Sequence, residues 1–457
     1  MNPLIISVSG LRGVIGESLT PDVAARYVTA FAKRLHAENK DPAKRPVVIV
    51  GRDGRSSGVM LQNVVAASLQ ASGCDCLIAD VASTPTIGVL VRDKNAAGAI
   101  QITASHNPPP YNGMKLFSPM GRVVGAQAGA AVKAAYEQGE SAWCDVGSLG
   151  TLTCDDDPHL PHLHAVLATV DASAIAKQKF RVLLDSNHGS GGALGKRLLG
   201  KLGCDVVMVG ETPDGCFDHV PEPTAENLQG IAARVANEKC VVGFCQDPDA
   251  DRLALIDAGG RYVGEEMTLA LCVQRALTHQ ATRGAIVING ATSGMSERLA
   301  AAAGVPAFRS AVGEANVADM MIAEAAAYGG EGNGGPIDPR VGYVRDSFVA
   351  MAQVLALMTE TGRSLAELCD AMPGLSIYKT KATVDAATLP QSFKRIAAHF
   401  SDGTADFSDG LRIAWPDRWL LVRGSNTEPI VRLIAEAENE AAAKAMCDAA
   451  AVALVAG

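Results

Sequence analysis

Apolar residues fall along this chain in short blocks separated by longer amphipathic stretches, the alternation produced when strands and helices follow one another. Residues 4–8, 47–50, 76–79 and 99–102 are blocks rich in Ile, Val, Leu, Ala and Cys and predict strands. Between them, residues 21–36, opened by Pro21, and residues 58–72 space their apolar positions three and four apart and predict helices. Strand and helix in alternation predict βαβ units. The acidic run Cys154-Asp-Asp-Asp-Pro158 reads as a linker, after which the pattern restarts. A second unit carries strands over 180–185, 205–208 and 241–244, with a glycine turn at 189–192 leading into a helix through Leu199. A third carries strands over 252–256 and 284–288, with helices after Glu265 and around Met320 and Phe348. Past about residue 375 the strands shorten, over 382–384, 412–415, 419–422 and 430–434, with helices over 392–399 and 440–453. An antiparallel sheet backed by helices fits that last part.

At 457 residues the chain exceeds what one core organises, so several domains are expected. Apolar residues make up 48% and aromatics 4%, so the cores are aliphatic, as in α/β enzymes. The formal net charge of -9, with no basic run, argues against nucleic acid as the main partner but leaves room for a small anionic substrate. Eleven cysteines show no paired C-x-x-C spacing and read as reduced thiols in a cytoplasm. No apolar stretch reaches bilayer-spanning length, and the N-terminus lacks a basic stretch followed by a long apolar core. Export and membrane insertion are not expected.

Four segments carry candidate chemistry. The strand over 99–102 runs into Thr103-Ala-Ser-His-Asn-Pro-Pro-Pro110, where three prolines and the following Asn112-Gly113 end regular structure. Ser105 sits at that strand end with His106, Asn107 and Lys115 close in sequence, placed either as a nucleophile or phosphoryl carrier, or in an ordinary polar turn. Asp247-Pro-Asp-Ala-Asp-Arg252 follows another apolar run, and its three alternating carboxylates would point one way on an extended backbone and suit Mg²⁺. A Ca²⁺ loop fails, because Arg252 and Ala258 stand where Gly and Glu are needed. A phosphatase with Asp247 as nucleophile stays open. Arg423-Gly-Ser-Asn-Thr-Glu-Pro429, between two strands, offers a guanidinium, two hydroxyls and an amide to a phosphate. The glycines of Gly329-Gly-Glu-Gly-Asn-Gly-Gly335 would let backbone approach a ligand closely, with Glu331 and Asn333 offering oxygen and nitrogen to sugar hydroxyls. The glycines at 189–195 miss the dinucleotide spacing, and His159, His162 and His164 read as the surface of a helix start rather than a zinc cluster.

Taken together and in this order, these segments resemble the α-D-phosphohexomutase superfamily over essentially the whole chain. Ser9-Gly-Leu-Arg-Gly13, Gly51-Arg-Asp-Gly-Arg55 and the segment 217–223 add to the likeness. The resemblance implies three tandem α/β mixed-sheet domains (1–153, 154–253, 254–372) and a smaller C-terminal α+β domain (373–457) around a central cleft. It implies an isomerase that interconverts hexose 6-phosphate and hexose 1-phosphate through a phosphoserine and a sugar 1,6-bisphosphate. Ser105 would carry the phosphoryl group, and Asp247, Asp249 and Asp251 would hold Mg²⁺ with Ser105 as a further ligand. Arg12, His106, Lys115 and Arg252 would surround the transferring group. Arg423, Ser425, Asn426 and Thr427 would bind the other phosphate, and Glu331 and Asn333 the sugar. The sugar loop, together with Val312-Gly-Glu-Ala-Asn316, is similar to phosphoglucosamine mutases of the archaeal type, which points to glucosamine 6-phosphate; phosphomannomutase and phosphoglucomutase stay open. Monomer and homodimer also both stay open.

Overall fold

The computed structural model describes residues 3–7, 10–41, 43–141, 143–279, 284–384, 388–424 and 430–455. They fall into two units, Met1–Arg275 with Asn333–Cys369, and Ala276–Gly332 with Asp370–Gly457.

In the first unit, β1 (Ile5–Ser7), β2 (Gly10–Val14), β3 (Val47–Arg52), β4 (Asp75–Val81), β5 (Gly98–Ile102), β6 (Tyr111–Phe117) and β7 (Leu152–Cys154) form one sheet in the order β1-β2-β6-β5-β3-β4-β7. β3, β4, β5 and β7 are parallel, and β6, β2 and β1 add on by antiparallel pairing. Strand alternation divides the core. Val48 and Val50, with Ile100 and Leu116, pack with Tyr27, Phe31, Leu61 and Leu69 of helices Pro21–Glu38 and Gly58–Ala71. Ile49, Ala99 and Phe117 turn the other way, onto Ile87, Leu90 and Val91 of helix Thr84–Asp93. Each large side chain buried so stabilises the fold by about 1.5–3 kcal/mol.

The apolar pattern gave no sign of β2 or β6. β2 carries two glycines, and β6 begins in Tyr111-Asn112-Gly113, a turn signal. Pairing on both flanks overrides that local preference. Asn112 is fully buried, where its amide donates to Ser57 Oγ at 2.9 Å. At Gly113 a Cβ would lie 2.4 Å from Leu11 O, so the close approach of β2 requires glycine there.

A second sheet in this unit takes β8 (Arg181–Asp185), β9 (Asp205–Val209), β10 (Val242–Gln246) and β11 (Leu253–Asp257) in the order β11-β10-β8-β9. The strand near 252–256, expected to open the third unit, instead pairs antiparallel with β10 and closes this sheet. Helix Ser347–Thr361 is buried on nearly every side and is capped by Asp346, which accepts from Phe348 N at 2.9 Å and Val349 N at 3.1 Å. The other Asp346 oxygen lies 2.7 Å from His162 Nε2. His162 is therefore a buried structural histidine, not part of a helix-start surface; His164 alone of the three is exposed.

In the second unit, β12 (Ile286–Asn289), β13 (Ala307–Ser310) and β14 (Tyr328–Glu331) run parallel in the order β13-β12-β14. The short β15 (Gly335–Ile337) falls in the first unit. An antiparallel sheet follows, β16 (Ser376–Thr383), β17 (Thr404–Asp406), β18 (Leu411–Ala414), β19 (Trp419–Gly424) and β20 (Ile430–Ala437), in the order β16-β20-β19-β18-β17. Helices Leu389–His399 and Glu440–Val455 cover it through Ile396, Ala443, Cys447 and Leu454. The parallel and antiparallel parts are joined by Glu436, which is 1% exposed and accepts from Gly294 N at 2.8 Å, Trp419 Nε1 at 2.7 Å and the Ser293 hydroxyl. Among the described residues, no helix is long and apolar enough to cross a membrane.

Candidate active site

β5 is buried along its whole length and delivers Ser105 three residues beyond its end. Ser105 is 3% exposed and sits at φ +49°, a left-handed conformation that costs a serine about 1 kcal/mol and needs outside support. The support is specific. Thr103 Oγ1 accepts from Ser105 N at 2.8 Å and donates to Asp53 Oδ2 at 2.7 Å. Arg55 donates to Ser105 O (2.6 Å), Asn107 O (2.6 Å), Pro108 O (2.9 Å) and Tyr111 O (3.0 Å), so one guanidinium gathers four carbonyls of the loop. Asp53 holds Arg55 Nε at 3.1 Å, and the Phe217 ring lies 5.2 Å from its guanidinium carbon.

The Ser105 hydroxyl donates to Asp247 Oδ2 at 2.9 Å and lies 3.4 Å from His106 Nδ1. Asp247, Asp249 and Asp251 offer oxygens within 4.8 Å of one another, all three buried. Their convergence does not come from an extended strand. β10 ends at Gln246, and the chain turns through 247–251 with Ala250 at φ +56°, wrapping the carboxylates around one point. Lys115 Nζ bridges Asp249 Oδ2 (2.7 Å) and Asp251 Oδ2 (2.8 Å). Arg345 Nη2 donates to Asp251 Oδ2 at 2.7 Å, and Thr84 Oγ1 to Asp249 Oδ2 at 2.6 Å.

Burial pushes the Asp247 carboxyl well above the ordinary carboxylate range, and Asp249 and Asp251 push it further. Burial presses on Asp249 as well, but Lys115 and the hydrogen bonds from Thr84 and Asp247 together outweigh it and hold that carboxyl low; Arg345, with Lys115 and Arg252, does the same for Asp251. Asp249 Oδ1 and Asp251 Oδ1 remain buried with no hydrogen-bond partner. Two orphaned carboxylate oxygens beside a third acid are the donor set a hard dication takes, so these residues fit Mg²⁺.

Around this point stand further cations. Arg12, on β2 opposite Gly113, donates to Asn107 Oδ1. Arg252 lies 3.8 Å from Asp251 Oδ1 by its Nε, which has no hydrogen-bond partner and is available to an anion. His106 differs from them. Burial, then Arg252 and Arg12, push its imidazole down to about 3, so it is neutral near pH 7 and offers no charge to a phosphate.

Glu331 ends β14 and is 4% exposed; its Oε1 accepts from Asn289 Nδ2 at 2.7 Å and from Gly313 N at 3.1 Å. Asn333, two residues on, falls in the first unit. Arg423, near the end of β19, is held through its Nε by Asp409 Oδ1 at 2.7 Å. Ser425, Asn426 and Thr427 lie outside the described residues.

Models of the four domains described as phosphoglucomutase/phosphomannomutase alpha/beta/alpha domains I, II and III and C-terminal domain match residues 4–143, 160–260, 263–375 and 380–453. The chain belongs to the phosphoglucomutase/phosphomannomutase family. Such proteins are phosphohexomutases, which are isomerases acting on sugar phosphates. A relative from Thermococcus kodakarensis named phosphoglucomutase/phosphomannomutase is 35% identical over 445 residues, 95% of each chain. A phosphoglucosamine/phosphogalactosamine mutase from Sulfurisphaera tokodaii is 30% identical over 443 residues, 95% of this chain and 96% of its own. The crystal structure of a phosphoglucomutase/phosphomannomutase family protein from Burkholderia thailandensis matches with a TM-score of 0.84 at 25% identity, over 99% of both chains.

Some of the groups described above carried no role when read from sequence. Arg55 and Asp53 stood in a segment noted only for its likeness, and Thr84, Arg345 and Asp409 in none. Arg345 directly precedes the helix cap Asp346, and Thr84 opens a helix with Ser83 as its cap. Both therefore read locally as helix starts. Only the fold brings them against the carboxylates.

Proposed function

We propose that the chain interconverts glucosamine 6-phosphate and glucosamine 1-phosphate by way of a phosphorylated Ser105 and a sugar 1,6-bisphosphate. One observation carries the reading: the Ser105 hydroxyl is hydrogen-bonded to Asp247 at 2.9 Å inside a buried carboxylate triad. A lone serine in a turn has no such partner. Held by Asp247, Asp249 and Asp251, Mg²⁺ would draw charge from the phosphoryl oxygens. The phosphoryl group passes from Ser105 to a sugar hydroxyl, leaving the serine oxygen to recover a proton; the bisphosphate then returns its other phosphoryl to Ser105. Lys115, Arg12 and Arg252 balance the charge spread over the moving group. Arg423, with Ser425, Asn426 and Thr427, holds the phosphate that is not moving, and Glu331 and Asn333 meet the sugar. The eleven cysteines, all free, agree with a reducing cytoplasm.

Glucosamine is favoured because the sugar-facing segments are acidic. Glu331 accepts from Gly313 N–H at 3.1 Å, and Glu314 is the next residue in sequence, so an acidic segment lies beside the residue proposed to meet the sugar, which suits an ammonium group. The name of the Sulfurisphaera relative agrees. The name of the Thermococcus relative supports a second reading, in which glucose and mannose phosphates are the substrates. Side-by-side kcat/KM values on glucosamine, glucose and mannose phosphates, each with its 1,6-bisphosphate, decide between them. Glucosamine phosphate should lead; a mannose or glucose phosphate leading by tenfold would overturn the substrate, and turnover of none would overturn the mutase.

A further inference from the structure

Asp409 lies in the turn between β17 and β18, and its carboxylate is divided between two partners. Oδ1 accepts from Arg423 Nε at 2.7 Å, and Oδ2 accepts from the Val312 backbone N–H at 2.8 Å. The next residue, Gly313, donates its N–H to Glu331 Oε1 at 3.1 Å. A short relay thus runs from Arg423 through one carboxylate and one peptide to Glu331, all of it within the second unit.

An ordinary surface ion pair would be worth little and would need no such arrangement. Three features set this one apart. The bond is to Nε, which fixes the guanidinium about its stem and leaves its outer nitrogens for an anion. The second oxygen is committed to backbone, so the acid cannot follow Arg423 if that side chain swings away. The turn comes so close that Gly410 is needed at φ +85°, where a Cβ would lie 2.6 Å from Val422 O and 3.1 Å from Arg423 Cα.

We propose that Asp409 is a positioning residue: it aims the Arg423 guanidinium at the phosphate that is not transferred and sets its distance from Glu331 at the sugar. This rests on Arg423 being a phosphate ligand, as read above. Asp409→Asn is the informative change. An amide has one acceptor where two donors converge, so it satisfies either Arg423 or Val312 and turns an N–H toward the other. KM for the hexose phosphate should rise about tenfold, the loss of roughly one well-placed bond, while kcat stays within about threefold. In an Arg423→Ala background, Asp409→Asn should change KM no further. Arg423→Lys, which keeps the charge but has no Nε, should raise KM as Asp409→Asn does without altering residue 409, and serves if that variant folds poorly. A parental KM in Asp409→Asn, or a full additional rise in the double variant, overturns the proposal. A parental KM in Arg423→Ala itself overturns the phosphate role of the turn and the proposal with it.

Discussion

Replacing Arg55 by Lys tests whether the geometry of the Ser105 loop, and not only its residues, is what the chemistry needs. The Arg55 guanidinium reaches four loop carbonyls at 2.6, 2.6, 2.9 and 3.0 Å. A lysine ammonium has three donors at a single point, and with one kept on Asp53 two remain for the carbonyls. Two bonds from a charged donor are lost, at about 1.5–3 kcal/mol each, or about 3–6 kcal/mol before the loop relaxes. Relaxation toward water recovers part of this, leaving about 3 kcal/mol against the left-handed Ser105 conformation. That corresponds to a loss of about 100-fold in the correctly placed serine. Arg55→Lys should therefore lower kcat about 100-fold, with KM within about threefold, because the groups proposed to hold sugar and distal phosphate are untouched. Steady-state kinetics reads kcat and KM, a thermal melt shows that the variant is folded, and the rate of phosphoryl uptake from hexose 1,6-bisphosphate reads the serine step itself. A folded Arg55→Lys protein that turns over within about threefold of the parent would refute the reasoning.

Two further predictions follow from the electrostatics. Lys115→Met removes the ammonium that bridges Asp249 and Asp251, so the protein in chelator should melt lower than the parent and gain more on adding Mg²⁺; equal gains would contradict the triad as the metal site. His159 is pushed from 6.5 down to about 4 by burial first and then by Arg197. Between these values the unfolded chain binds the proton and the folded one does not, so stability is full above about pH 6.5 and falls as pH drops toward 4. The share of the pH 7 to pH 5 loss that belongs to His159 should be about 2 kcal/mol, read by urea titration as the amount by which the loss shrinks in His159→Gln. An unchanged loss in that variant would remove His159 from the account.

The legible parts of this protein were those in which local sequence and tertiary need agree. Val48 to Val50 alternate faces, and the helix opening at Pro21 buries Ala24, Tyr27, Val28, Phe31 and Leu35, so pattern and packing coincide. Three acids within five residues could not sit together between apolar strands without a cation, and they converge as expected. Their backbone was misread because Ala250 takes a left-handed turn that an alanine does not announce. β6 was hidden by Asn112-Gly113, a turn signal overruled by strands on both sides. Arg55, Arg345 and Thr84 were hidden for another reason. Each acts on residues 50, 94 and 165 positions away along the chain, and nothing in their own neighbourhoods records the partner.

The central claim is that Ser105 carries the phosphoryl group, and mass analysis of the protein after exposure to hexose 1,6-bisphosphate tests it most directly. One phosphoryl adduct should map to Ser105 and vanish in Ser105→Ala. An adduct that persists in Ser105→Ala and is lost in Asp247→Asn would mean that an aspartate is the nucleophile, and would contradict the account.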